Sequence, residues 1–279
     1  MHAPCLGKQE IIRRAPTCFG GFKTEAFTAS WGLYFFCGGI ALLHRFARTE
    51  LLIGEQGVKK LASSTVAVFG VGGVGSYVVE ALARAGIGKL VLIDHDTISL
   101  TNINRQLPAL ESTIGQRKVE VMKQRILDIN PSCQVEAIQE FYNHNQSEAL
   151  IRSEYSYIVD AIDSITAKVD LIVTAMEQNI PIVSSMGAGN KLDPTQFKLA
   201  DISKTHTCPM AKTVRKMLRG RGIRAGLQVV FSPEMPIIPL EPYAEEAGIR
   251  RQLPGSIAFV PSVAGLFLAS AVVNNILKH

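Results

Sequence analysis

Residues able to hold and polarise a phosphate chain recur at fixed points along the first two-thirds of this chain. Gly70-Val71-Gly72-Gly73-Val74-Gly75 follows the apolar run Val66-Ala67-Val68-Phe69. A strand that enters such a turn and opens a helix presents backbone N–H groups to a phosphate, and the helix N-terminus adds partial positive charge. A second apolar run, Leu90–Ile93, ends at Asp94, an acid placed to accept a hydrogen bond from a ribose hydroxyl. Asp96 follows it, making Asp94-His95-Asp96 a pair of carboxylates around a histidine. Next comes the polar turn Asn102-Ile103-Asn104-Arg105-Gln106. Asn102 and Arg105 suit phosphate oxygens, the arginine through its fork of donors. Lys118 offers a point charge to an α-phosphate or a departing pyrophosphate. Asp163, just beyond Val159-Asp160-Ala161-Ile162, is a carboxylate of the kind that holds Mg²⁺ beside phosphates. Asp160 reads as structural, as a cap for the helix that follows. Each signal has a plain alternative: a surface turn at 102–106, a solvated helix face at Lys118, and a dinucleotide dehydrogenase for the glycine turn.

Strands that alternate with helices must position these groups. Strands are predicted at 61–69, 89–93, 134–138, 157–161, 181–185, 197–202 and 227–231. Helices are predicted at 73–85, 116–129, 146–152, 165–178, 210–219 and 262–277, with a short amphipathic segment at 44–53 and a helical turn at 101–105. Glycine at 86 and 88 ends the first of the long helices. This order implies an α/β fold: a doubly wound, mostly parallel, Rossmann-like sheet with right-handed crossovers and a C-terminal extension. In such sheets ligands sit beyond the carboxyl ends of the strands, where Asp94 and Asp163 fall. Residues 232–255 contain five prolines and read as a mobile loop. The apolar helix near the C-terminus reads as buried or as a dimer interface, without stable membrane insertion.

The bulk numbers are compatible with this reading. Of 279 residues, 47% are apolar, enough for a substantial core, and the net charge is +5. The charge is concentrated. Lys212, Arg215, Lys216, Arg219, Arg221 and Arg224 fall within 13 residues that hold no acid. Such a segment is a candidate nucleic-acid backbone patch, or else a solvated helix. The five cysteines form no Cys-x-x-Cys pair, which argues against a disulfide framework and a structural zinc site and favours the cytoplasm. Cys208 has no base beside it and reads as structural. Residues 1–43 show no period and read as a poorly ordered extension, with 44–279 as one nucleotide-binding domain. Their apolar stretch, Trp31–Leu43, is too short to cross a bilayer as a helix.

Taken together, the motifs resemble those of the ubiquitin-activating-enzyme-like adenylyltransferases, the group that activates molybdopterin and thiamine sulfur carriers. The resemblance rests on Arg45-Phe46-Ala47-Arg48, the 70–75 glycine turn, Asp94-His95-Asp96, Asn102 to Gln106, Lys118 and Asp163. It implies ATP as co-substrate, with Gly70, Gly72, Gly73, Gly75, Asp94, Asp96, Asn102, Arg105 and Lys118 around it. It further implies Mg²⁺ on Asp163 and a homodimer in which Arg48 reaches the phosphates across the interface.

Within that family the chain is similar to the branch that dehydrates threonylcarbamoyladenosine in tRNA. The similarity lies in His44 to Gly54, Ser184 to Lys191, Ala200 to Thr205, Pro209 to Arg215 and Gly255 to Val263. Residues 1–43 depart from the pattern. The branch implies a tRNA substrate, with the basic 212–224 segment against its backbone, and leaves room for a sulfur-relay protein as partner. The competing reading is adenylation of the C-terminus of a ubiquitin-like sulfur carrier. The missing zinc cysteines and the basic segment speak against it. A nicotinamide-dependent oxidoreductase would have no use for Arg48, Arg105 and Lys118.

Overall fold

The computed structural model describes residues 33–36, 39–42, 44–239 and 254–278. Two compact units divide the chain at His44. In the first, strands Leu33–Phe36 (β1) and Gly39–Leu42 (β2) pair antiparallel, Leu33 opposite Leu42. The sequence carries no period that predicts them. The rest of the expected extension, and residues 240–253 of the proline-rich stretch, lie outside the described residues.

The second unit is built on seven strands: Thr65–Phe69 (β3), Lys89–Ile93 (β4), Gln134–Ile138 (β5), Tyr157–Asp160 (β6), Ile182–Ser185 (β7), Lys198–Asp201 (β8) and Gln228–Phe231 (β9). Their order is β5-β4-β3-β6-β7-β9-β8. All neighbours run parallel except β8, which pairs antiparallel with β9 at the edge. The chain winds outward from β3 to β5, then returns to the other side of β3 at β6. That reversal opens a crevice at the carboxyl ends of β3 and β6.

Both faces of the sheet are covered, which is why its central strands are apolar throughout. Val66, Val68, Leu90 and Leu92 point to one face, against Gly75–Ala85 (α2), Lys118–Ile129 (α3) and Phe259–Lys278 (α7). Ala67, Phe69, Val91 and Ile93 point to the other, against Ile165–Glu177 (α5) and Pro209–Gly220 (α6). Such alternation follows from the two-residue period of a strand.

Four elements differ most from their sequence reading. The segment expected at 44–53 is a longer helix, Ala47–Ala62 (α1), broken at Gly54, whose φ of 72° interrupts the helical backbone. The expected strand start at Leu61 is therefore helix, and Leu61 is buried at its end. The expected helix 146–152 shrinks to Ser147–Leu150 (α4) after a 3-10 turn, in which the Asn143 side chain accepts from the Asn145 amide. The apolar C-terminal helix starts three residues early, because Pro261 is accommodated in its first turn. That helix is long and apolar enough to span a bilayer by composition, yet Ala264, Leu268 and Val272 are buried against the sheet face and α2.

A bidentate pair ties α4 to the sheet: the Arg152 guanidinium donates to both oxygens of Glu136 at 2.9 and 2.7 Å. Arg152 holds the Glu136 carboxyl below the usual carboxylate range. A carboxyl with a lowered folded pKa stabilises the fold above its unfolded value and loses that contribution as pH falls through the folded one. Both side chains are about one-third exposed, so solvent screens the pair. Arg152→Ala should lower the unfolding free energy by about 0.5–1 kcal/mol near neutral pH. The difference should vanish in acid; urea titrations at both pH values check it.

Candidate functional site

The crevice at the switch point opens into a cavity of about 760 Å³, within the size range of small-molecule sites. Its floor is the glycine turn after β3. Gly70 has φ of 87°, and a Cβ there would lie 2.7 Å from the Ala161 carbonyl oxygen. A Cβ on Gly75 would lie 1.7 Å from the Gly70 carbonyl oxygen, so only glycine lets α2 start this close to the strand. Gly72, Gly73 and Val74, which lead into α2, line the cavity, while the Ser76 and Tyr77 amides already donate to the Gly72 and Val74 carbonyls. The Val71 amide donates to Asp94 Oδ2 at 2.6 Å, and the Asp96 amide to Asp94 Oδ1 at 2.8 Å. Asp94, 8% exposed, thus fixes the turn while lining the cavity; a carboxylate keeps further lone pairs for a ribose.

The cationic wall comes from α3. Lys118 is 4% exposed, and its Nζ donates to Asp96 Oδ2 at 2.6 Å. His95 Nε2 lies 3.1 Å from the other oxygen of Asp96. The three form a line along the rim, and His95 sets its ring edge-on to Phe141 at 4.8 Å. Opposite, the Arg105 guanidinium is held by the Thr101 carbonyl and Asn104 Oδ1, both at 2.8 Å. Asn102 accepts the Ser99 amide at its Oδ1, closing the 3-10 turn that presents Arg105. Asp163 lies exposed at the rim, beyond the end of β6.

Gly70, Gly72, Gly73, Asp94, Asp96, Asn102, Arg105, Lys118 and Asp163 therefore line one cavity. Gly75 lies beneath it as the close-packing glycine. Arg48 is exposed on α1 and is not among the lining residues. Lys212, Lys216, Arg219, Arg221 and Arg224 are exposed on α6 and the turn after it. Arg215 is only half-exposed and spends its guanidinium on the carbonyl and hydroxyl of Thr205, so it holds a turn.

Asp160 does not cap α5. Its Oδ1 accepts the Ile162 amide, and its Oδ2 accepts from Lys168 Nζ at 2.8 Å and from Ser184 Oγ at 2.5 Å, all three side chains fully buried. The last residue of β6 points into the layer between sheet and α5, where Lys168 meets it. This pair fixes the 160–162 turn that carries Asp163.

Two parts of the cavity lie in motifs that the sequence shows without assigning them a role. Gln106 is 8% exposed, and its Oε1 is buried without a hydrogen-bond partner among the described residues. A Cβ on Gly72 would approach its Nε2 at 3.8 Å, so this orphaned oxygen belongs to the glycine cradle. The second part is the turn after β7, Met186 to Lys191. Its glycines after a predicted strand are the signal that could have found it. Asn190 (φ 58°) donates its amide to the Gly255 carbonyl, and its Oδ1 accepts the Gly255 amide. Lys191, 3% exposed, donates to the Ser232 and Glu234 carbonyls, and burial pushes its ammonium pKa down. Both described flanks of the 232–255 stretch are thus tied to this turn. Cys208, buried, also lines the cavity.

The site fits a nucleoside triphosphate: glycines at 70 and 75 that leave no room for a Cβ, a buried ammonium and a guanidinium toward phosphates, and the Gln106 oxygen as an acceptor for a ribose hydroxyl or a base amino group. An exposed rim carboxylate is an oxygen ligand suited to Mg²⁺ beside phosphates.

Comparison with known proteins gives the same picture. Residues 46–279 match the model of the ThiF family. The chain is 51% identical over 244 residues to the tRNA threonylcarbamoyladenosine dehydratase of Bacillus subtilis, covering 85% of this chain and 96% of that protein. A crystal structure of the Escherichia coli tRNA N6-threonylcarbamoyladenosine dehydratase in complex with ATP matches with a TM-score of 0.76 at 35% identity, covering 84% of this chain and 94% of that one. Molybdopterin-synthase adenylyltransferase of Escherichia coli is more distant, 30% identical over 166 residues, covering 59% of this chain and 66% of that protein.

Proposed function

Since the chain belongs to the ThiF family, we infer that it catalyses the ATP-dependent dehydration of N6-threonylcarbamoyladenosine in tRNA. One observation carries the reading above all. The glycine cradle, Asp94, Arg105 and Lys118 converge on one cavity, in a chain half identical over nearly its whole ThiF region to such a dehydratase. The sulfur-carrier reading is the weaker, with its relative the more distant and its zinc cysteines missing.

The substrate's free carboxylate is a poor electrophile. Its oxygen attacks the α-phosphorus of ATP, pyrophosphate leaves, and an acyl-adenylate results. The carbamoyl group of the same side chain then attacks the activated carbonyl and loses a proton, and AMP leaves with the former carboxylate oxygen. The sum is loss of one water, coupled to cleavage of ATP. Ring closure gains from tethering both partners in one molecule. The protein's part is positioning and charge stabilisation. Asp94 takes the ribose, the amides of the 72–74 turn and Asn102 take phosphate oxygens, and Lys118 and Arg105 screen the charge that builds during pyrophosphate departure. Asp163 would hold Mg²⁺, which would supply Lewis-acid screening of the phosphates.

Arg48 completes the site as a second copy's contribution in a homodimer. This is supported by its exposure outside its own chain's cavity and by the apolar neighbours Leu51 and Leu52, 77% and 86% exposed.

Incubation with ATP, Mg²⁺ and tRNA bearing the modification should give a nucleoside lighter by one water in mass spectrometry. A sulfur-carrier protein as the only stimulant of pyrophosphate exchange would overturn the reading. The exposed α6 cations predict a further result. Charge reversal at Lys212, Lys216, Arg219 and Arg224 should weaken tRNA binding and flatten its salt dependence, by about 0.7–0.9 in log–log slope for each phosphate no longer neutralised. Filter binding across a salt series measures it, with ATP affinity as the control.

A further inference from the structure

A second cavity, of about 350 Å³, lies beside the first and shares one wall with it, the ring of Phe141. Three elements enclose it: the segment after β5, the first half of α5, and the end of α6 with the turn after it. Phe141 is 47% exposed and held edge-on by His95. Facing it are the apolar Ala167, Val169 and Met217. Ser164 and Thr166 supply hydroxyl groups, Asn143 is held in the wall by Asn145 and Gln146, and Arg221, from the basic segment, lies at the lining. The acid in the wall is already satisfied: Asp170 accepts from the Tyr142 hydroxyl at 2.9 Å and lies 2.8 Å from His144 Nδ1. Both hydrogen bonds fix the carboxylate in the wall, and Arg221 stands in the same lining as a cation for a phosphate.

We propose that this cavity receives a nucleotide adjacent to the modified adenosine, unstacked from the loop of the tRNA. The proposal rests on the dehydratase reading above. Single-stranded RNA is recognised by splaying bases onto aromatic faces, reading their edges with short polar side chains, and holding the backbone with arginine. An exposed ring, two hydroxyl side chains and an arginine all line this space. The wall it shares with the first cavity decides the occupant. A substrate whose modified adenosine reaches the α-phosphate brings its covalent neighbour to the far side of Phe141. The same cavity links the basic face of α6 to the reacting centre, so the phosphate-binding patch and the chemistry share one strand of RNA.

Thr166→Phe fills the cavity from an exposed position on α5. The probe is an anticodon stem-loop carrying threonylcarbamoyladenosine, with the base on its 5′ or its 3′ side either present or abasic. On intact RNA the substitution should raise KM about tenfold, the worth of one base stack. Removing the base on one of the two sides should raise the wild-type KM by a similar factor, and substitution plus base removal should cost no more than either alone. ATP affinity by calorimetry reports on the integrity of the variant. Penalties that multiply, or a Thr166→Phe enzyme with unchanged KM on intact RNA, would overturn the proposal while leaving the dehydratase reading standing. A wild-type enzyme that converts none of the RNAs would overturn both.

Discussion

Lys118→Ala should reduce kcat by about 100- to 1,000-fold, the range expected when one preorganised charge-stabilising group is removed. The ammonium is buried, paired with Asp96, and lines the cavity assigned above to ATP. A cation in such a site is already in place and needs no reorganisation when the bond breaks. Because it acts on the departing phosphates, the loss should fall on kcat, with the KM for tRNA little changed. Rapid-quench measurement of adenylate formation in a single turnover tests this. A variant with normal kcat and a raised KM for ATP would mean that Lys118 holds the ground and transition states equally. Lys118→Arg should not restore full activity, because a planar fork does not replace a compact point charge in a filled wall.

The second large effect is on stability. Lys168→Met leaves the Asp160 carboxylate fully buried with Ser184 and the Ile162 amide as its remaining partners. Stripping one partner from a buried pair costs about 3–5 kcal/mol. Replacing both charges, with Asp160→Asn and Lys168→Met together, should recover most of that loss, since no uncompensated charge remains. Urea denaturation of the two variants is the comparison. Equal or greater destabilisation of the double variant would show that the pair contributes by its own attraction. The single variant should also lose activity, because Asp160 holds the turn that delivers Asp163.

The parts of the site that can be read from the sequence are those set by short-range backbone demands. A glycine turn between an apolar run and a helix places tight backbone approach at a helix N-terminus, and few arrangements besides phosphate binding need that. The strand ending at Asp94 is legible to the residue, because each buried strand is a short, uniformly apolar run. Helix boundaries near glycine are equally legible, as at Gly86, which caps α2 with φ of 94°. Contacts between distant segments are not. Nothing local announces that Lys168 on α5 will meet Asp160 and Ser184, or that Asn190 will clasp Gly255. Gln106 is visible as part of a motif, but its unpartnered oxygen emerges only once Gly72 is folded beside it. Arg215 shows the converse. Counted with its neighbours it is one more positive charge, and only the fold turns its guanidinium inward to Thr205. The antiparallel edge strand β8 likewise has the apolar pattern of a strand and no mark of its direction.

The central claim is that a carboxylate on RNA takes the adenylyl group of ATP. Supplying tRNA whose threonylcarbamoyl carboxylate carries heavy oxygen, and weighing the nucleotide products, tests it most directly. The account predicts AMP that has gained one heavy oxygen for each ring closed, with unlabelled pyrophosphate. Label appearing in inorganic phosphate alongside ADP would mean that the γ-phosphate activates the acid, and would contradict the account.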